Sequence, residues 1–277
     1  MFLALIVGIG YFFSNYYNNP GILTIAIIFS VVMNIAGYWY GDKIALGMAK
    51  AVPASPAQYP ELHNIVENLS ITAGLPKPKL YIIPDSAPNA FATGRNAKHA
   101  SVAVTNGLLQ ILDRSELEGV IAHELAHIGN KDILLQSMVA ILVGFVSILA
   151  DMFMRSMWFG GGGRDSDNKG SNVLAIVGVV FVVLSPIIAT LIQLAISRRR
   201  EFLADASGAL LTRYPDGLAS ALQKISSYSH PMKTASNATA HMYISNPFGK
   251  IGKGLSGLFM THPPVAARIK ALTDMAL

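Results

Sequence analysis

The stretch 120-VIAHELAHIGNKDILLQSMVAILVGF-145 joins two patterns that ordinarily sit apart. Its first half contains His123-Glu124-Leu125-Ala126-His127. In a helix, positions i and i+4 stack on one face, so His123 and His127 present two imidazoles to one point. Glu124 lies roughly 100° around the helix from His123, badly placed to be a ligand but within reach of a water at the metal. The expected chemistry is hydrolysis. Zinc polarises a water and the scissile carbonyl, while Glu124 takes a proton and later delivers it to the leaving amine. The second half of the stretch is uncharged from Ile133 to Ala150 and starts a candidate membrane span.

The bland alternative is a pair of surface histidines on an amphipathic helix. The upstream sequence argues for a helix with a defined start. Ser115-Glu116-Leu117-Glu118 reads as a capping box, with Ser115 accepting from the backbone three residues on and Glu118 reaching back. His123 and His127 then fall about two turns inside the helix.

A catalytic zinc takes three protein ligands and keeps one position open. The residues just after His127 offer no third ligand in a known pattern: Ile133 stands where an extended motif would place His or Asp. Chain geometry gives a better candidate. The helix bearing His127 enters its span near Ile133, and the last span ends near Ser197, four residues before Glu201. At about 1.5 Å per residue, His127 and Glu201 stand roughly 9 Å and 6 Å above the same boundary. Asp205 lies one turn further along the same face, where it can accept the second N–H of a ligand histidine. The competing reading pairs Glu201 with Arg198, Arg199 or Arg200.

Composition supports the membrane half of the opening stretch. Of 277 residues, 52% are hydrophobic and 13% charged, against roughly 25% charged in ordinary soluble domains. Uncharged runs cover 22–40, 133–150 and 173–197, and a shorter one covers 1–13. Each of the three longer runs can cross a core roughly 30 Å thick. Residues 1–13 lack the basic start and small-residue cleavage site of a signal peptide, so four spans are expected. Lys and Arg concentrate in 41–132, with eight, and from 198 onward, with ten. That places both polar segments and both chain ends in the cytoplasm. The net charge of +5 suits an anionic inner leaflet, and no nucleic-acid motif accompanies it. The absence of cysteine excludes disulfides, thiolate ligands and a Cys nucleophile.

The expected organisation is therefore an N-terminal transmembrane hairpin at 1–40, a polar segment at 41–132, a second transmembrane hairpin at 133–197 with a flexible Gly-rich loop at 156–172, and a polar segment at 198–277. The two polar segments together form one cytoplasmic domain. Within the first, 60–75 has helical spacing, ended by Gly74 and Pro76. Strands are expected at 79–83, 89–93 and 101–105.

Several of these pieces together resemble a known family. They are Asn89-Ala90-Phe91-Ala92-Thr93-Gly94, Glu118 through His127, Ser197 through Asp205, and Thr261-His262-Pro263-Pro264 followed by Arg268. The histidine motif followed far downstream by Glu-x-x-x-Asp resembles the gluzincin arrangement. The whole is similar to the HtpX family of bacterial membrane zinc metalloproteases, related to the CAAX prenyl endopeptidases. The resemblance covers nearly the whole chain. It implies a membrane α-helical protein of four spans with a cytoplasmic α+β gluzincin-type domain and a small sheet, set in the bacterial inner membrane. It also implies one zinc ion per chain, polypeptide substrates that are chiefly misfolded or damaged membrane proteins, and self-cleavage. Asn89, Ala90, Phe91 and Ala92 would form an exposed edge that binds extended substrate, with Ala90 and Ala92 leaving room for it. His262 would donate to a tetrahedral oxyanion, and Arg268 would buttress the site through an acidic partner.

Two other readings use parts of the same sequence. A site-2-type intramembrane protease would take Asp216 of Pro215-Asp216-Gly217 as its downstream ligand, but Asp216 lies outside every span. A non-catalytic zinc scaffold or a transporter would require a fourth ligand, or charges and repeats within the spans, and the sequence shows none of these.

Overall fold

The structure, a computed structural model, describes residues 2–144, 198–249 and 263–275. The chain starts with two helices, α1 (Phe2–Tyr16) and α2 (Pro20–Met48), packed on each other. Asn19 caps α2 by accepting from the Gly21 N–H, and Pro20 supplies a first-turn residue that needs no donor. Among the described residues, α2 is the one helix long and apolar enough to cross a membrane. It does not stop with its apolar run at Tyr40 but continues eight residues into the polar segment. The last third of the third expected span (145–150), all of the fourth and the Gly-rich loop lie outside the described residues.

Four strands follow: β1 (Val52–Pro53), β2 (Lys79–Ile83), β3 (Ala90–Gly94) and β4 (Ala100–Thr105), in the order β1-β2-β4-β3. The β2–β4 pair is parallel, with Lys79 opposite Ser101, and β3–β4 is antiparallel, with Ala90 opposite Val104. All of β3 and β4 is buried. Helix α3 (Pro60–Ala73) covers the sheet with Leu62, Ile65, Val66 and Leu69. It ends as its sequence predicts, on Gly74 at φ +66°, a conformation that costs a residue with a Cβ.

The short helix α4 (Asn106–Ile111) leads to α5 (Arg114–Gly129), which carries the histidine motif. Its capping box lies two residues upstream of the expected one. Asp113 accepts from the Glu116 N–H at 3.0 Å, and Glu116 accepts from the Asp113 N–H at 2.9 Å. The carboxylate of Asp113 also accepts a hydrogen bond from the Ser115 hydroxyl, so Ser115 is a partner of the cap and not the cap. Glu116 is held further by Lys224 and Ser220 of α8 (Pro215–Ser227).

The opening stretch is not one continuous helix. α5 ends at Gly129, Lys131 takes φ +63°, and a new helix, α6 (Asp132–Gly144), begins. α6 is largely enclosed by protein, with Ile133, Gln136, Ser137 and Ala140 buried. Its Ser137 and Ile141 meet Gly37 and Gly41 of α2. The remaining α-helices among the described residues are α7 (Arg198–Thr212), α8 and α9 (Val265–Thr273).

Candidate metal centre

α5 and α7 pack face to face, and a glycine sets how close they come. A Cβ on Gly208 would lie 3.0 Å from the His123 nitrogen and 3.2 Å from the Ala122 carbonyl carbon. With no side chain there, α7 lies against the backbone of the histidine motif. Glu201 and Asp205, two turns and one turn before Gly208, are thereby directed at His123 and His127.

Three donors converge. The two Nε2 atoms are 3.2 Å apart. Glu201 Oε1 is 3.6 Å from His127 Nε2, and its Oε2 is 3.8 Å from His123 Nε2. His123, His127 and Glu201 are all buried, and among the described residues they form a group able to hold a metal ion. Each imidazole is fixed from behind. His123 Nδ1 lies 2.9 Å from Asp205 Oδ1, and His127 Nδ1 lies 3.0 Å from Asp132 Oδ2. A carboxylate at that distance holds a proton on Nδ1, which leaves the lone pair on Nε2. Two lone pairs and a carboxylate facing one another repel unless a cation lies among them. The donor set therefore fits a divalent metal, and its N and O atoms fit zinc.

Arg268 ties the rear of the site together and is fully buried. Its Nε and Nη2 donate to Asp205 at 2.8 and 2.7 Å, and its Nη1 donates to the Ile244 carbonyl at 3.1 Å. Its Nη1 also lies 3.5 Å from Glu201 Oε2. Arg200, one of the three arginines before Glu201, pairs with Asp132.

Asp132 was not expected. In a continuous helix a residue five positions after His127 lies roughly 140° away from it. The break at Asn130–Lys131 swings Asp132 back onto the ring. The Gly129-Asn130 pair, two turn-forming residues, is the signal in the sequence that could have shown this.

Electrostatics follow from burial. Burial pushes Glu124 up to about 7. Burial also lowers His123, more than its bond to Asp205 raises it. For His127 burial acts downward too, but the bond to Asp132 and the charges of Glu201 and Glu124 outweigh it and raise the pKa. Asp205 is opposed by burial, yet the bonds from Arg268 and His123 bring it down to about 2.

β3 reaches the site through its outer edge. The Ala92 backbone lies beside the Glu124 carboxylate and favours its charged form, against the larger upward effect of burial. The expectation of an exposed edge is not met. The Ile244 N–H donates to the Ala90 carbonyl at 3.0 Å, and Asn89 exchanges two bonds with the Ser245 backbone. Phe91 meets Tyr243 edge to face at 5.1 Å. The chain itself returns to cover this edge, because unpaired backbone groups cost free energy when buried. His262 lies outside the described residues. Asp216 is exposed in the first turn of α8 and is not among the converging donors.

Two stacked helices that bring a His-Glu-x-x-His motif to a downstream glutamate, beside a small mixed sheet, define a metallopeptidase. Comparison with known proteins agrees. The sequence matches Peptidase family M48 over residues 56–276. It is 51% identical to a protease HtpX homolog of Thermoanaerobacter pseudethanolicus, over 100% of this chain and 92% of that protein. It is 48% identical to one from Pyrococcus furiosus, over 99% and 92%. The crystal structure of S. mikatae Ste24p shares the fold, with a TM-score of 0.53 at 19% identity. That match covers 98% of this chain and 62% of the Ste24p chain. This chain belongs to peptidase family M48.

Proposed function

We propose that the chain is a zinc-dependent endopeptidase of the bacterial inner membrane that cleaves misfolded or damaged membrane proteins at the cytoplasmic face. The observation that carries the catalytic part is the convergence of His123, His127 and Glu201, each imidazole backed by its own carboxylate. Zinc on these three residues supplies a Lewis acid that polarises a carbonyl and acidifies water. The protein's own groups do the rest. Glu124, next to His123 and buried, takes the proton from the attacking water and passes it to the leaving amine. The Ala92 backbone beside Glu124 favours the charged carboxylate. Asp205 and Asp132 keep both Nδ1 atoms protonated, and Arg268 holds Asp205 in place. His262, two residues before the Pro264 that starts α9, donates to the oxyanion.

Substrate lies along β3 at Asn89, Ala90, Phe91 and Ala92, where small side chains at 90 and 92 leave room. Pairing with the Ala90 carbonyl requires the substrate to take the place of the Ile244 N–H. The membrane part of the proposal rests on α2, on the uncharged runs downstream, and on the similarity to HtpX homologs.

The test is incubation of purified protein with casein, with and without a chelator. Wild type cleaves only when metal is present. Glu124→Ala retains bound zinc, measured by atomic absorption, and loses cleavage, including self-cleavage during purification; residual activity at the wild-type rate would sink the assigned mechanism. The site-2 reading makes the opposite prediction at two other positions, namely that Asp216→Ala releases zinc and Glu201→Ala does not.

A further inference from the structure

Where α2 leaves its apolar run, a cavity of about 330 Å³ opens between that helix and one end of the sheet. Its walls carry Lys43 from α2, Lys79 from the start of β2, and Arg95 and Lys98 from the turn after β3. Asp42 is the one carboxylate in the lining. Among the described residues no ion pair is formed by any of these four cations, whereas Lys77, Arg114, Lys224 and Arg268 all have carboxylate partners. Two of the four are instead laid against aromatic rings of the helix: Arg95 stands 4.3 Å over Trp39 and Lys43 stands 5.5 Å over Tyr40. These contacts hold the charges at the mouth of the cavity without neutralising them.

The level at which this happens specifies the ligand. Below the cavity α2 presents exposed Ile25, Ile28, Val32 and Ile35. Tyr38, Trp39 and Tyr40 then end the run, as aromatic residues do at a membrane–water interface. A pocket with four cations one turn above such a belt, on the side rich in Lys and Arg, meets the phosphates of the adjoining leaflet. We propose that this cavity binds the phosphodiester headgroup of an anionic phospholipid. The guanidinium of Arg95 and the ammonium groups of Lys43, Lys79 and Lys98 contact the phosphate, and the acyl chains run down the apolar face of α2. The proposal rests on the reading that α2 crosses the membrane. The cavity opens beside the turn after β3, the strand that packs on the motif helix α5, so an occupied site also steadies the sheet against the bilayer.

The experiment uses the full chain. Wild type and the triple variant Lys43→Gln, Arg95→Gln, Lys98→Gln are reconstituted into vesicles of pure phosphatidylcholine, washed with alkali and floated. Both float if α2 and its companions span the membrane; loss of both shows that reading to be wrong and removes the basis of the site. Native mass spectrometry in detergent then counts retained lipid during titration with phosphatidylglycerol or phosphatidylcholine. Wild type retains phosphatidylglycerol in preference, and the preference falls by about fivefold for each cation removed. A charge-matched control, Lys50→Gln, Lys233→Gln, Lys270→Gln, keeps the preference. The variant Arg95→Lys also keeps it, and its melting temperature shows the turn intact. Equal loss in the control would show a diffuse surface effect and overturn the site. Displacement of phosphatidylglycerol by millimolar inorganic phosphate would mean a free-phosphate site and overturn the lipid assignment.

Discussion

At the residue scale, the site depends on which nitrogen of each histidine carries the proton. Asp205 and Asp132 decide this from opposite sides, and they do so with different support. Asp205 is locked by two bonds from buried Arg268, while Asp132 is paired with Arg200, which is partly exposed. Removing either carboxylate frees a ring to rotate or change tautomer. Asp205→Asn and Asp132→Asn should each weaken zinc binding by about 10- to 100-fold. Competition with a chromophoric chelator measures it, and an unchanged affinity in both variants would deny them a role. The same pair predicts an order of titration. In the metal-free protein His127 is raised and His123 lowered, so as pH falls His127 takes its proton first. Metal binding needs both rings neutral and is therefore lost on the acid side as His127 protonates. Asp132→Asn removes one cause of the raised value and moves that loss to lower pH relative to the variant's own maximum. Imidazole resonances followed through a pH titration give the sequence directly.

At the element scale, two local features place the ligands: a helix break and a close helix contact. The break at Asn130–Lys131 separates the motif helix from α6 and turns Asp132 back to the site. The contact at Gly208 brings α7 onto α5. Gly208→Ala adds a methyl against backbone atoms that cannot rotate away. The two helices must part by a few tenths of an ångström, at a cost of about 1–3 kcal/mol typical of overpacking. The expected result is a lower melting temperature together with weaker zinc binding, since Glu201 moves with the helix. A variant with lowered stability but wild-type zinc affinity would show that the contact serves packing alone. The cap at Asp113 offers a contrast. Asp113→Ala should cost about 1 kcal/mol and leave zinc affinity unchanged, because the cap lies more than two turns from His123.

At the scale of the whole molecule, the site is made by segments far apart in the chain. β3, α5, α7 and α9 meet there, and Arg268 alone touches Asp205, Ile244 and the neighbourhood of Glu201. An ion bridging α5 and α7 therefore stabilises the fold as a whole. Zinc at about 100 times its dissociation constant adds roughly 2.7 kcal/mol to folding. Removal by chelator should lower the melting temperature of wild type, have little effect on His123→Ala, and be reversed by adding zinc back. A wild-type melting temperature indifferent to chelator would mean that the three donors do not hold an ion in solution.

The sequence carried the parts of this protein that depend on local periodicity and residue chemistry. The i, i+4 spacing of His123 and His127, the stop at Gly74, strand β2 and the apolar run of α2 can all be read from nearest neighbours along the chain. Glu201 was read from its matched height above the expected span boundary, and Asp205 from the four-residue spacing that puts it on the same helix face as Glu201. Tertiary structure decided what depends on approach across space. The sequence did not show that Asp132 backs His127, because that requires a helix to break where the residue pattern allows it to continue. It placed the α5 cap on Ser115, although Asp113, with Glu116 three residues on, offers the stronger acceptor. It left the β3 edge open, whereas Ile244 and Ser245 return to it from about 150 residues downstream. A backbone group must be paired when buried, but one sequence read locally does not say which distant strand of chain will come to pair it.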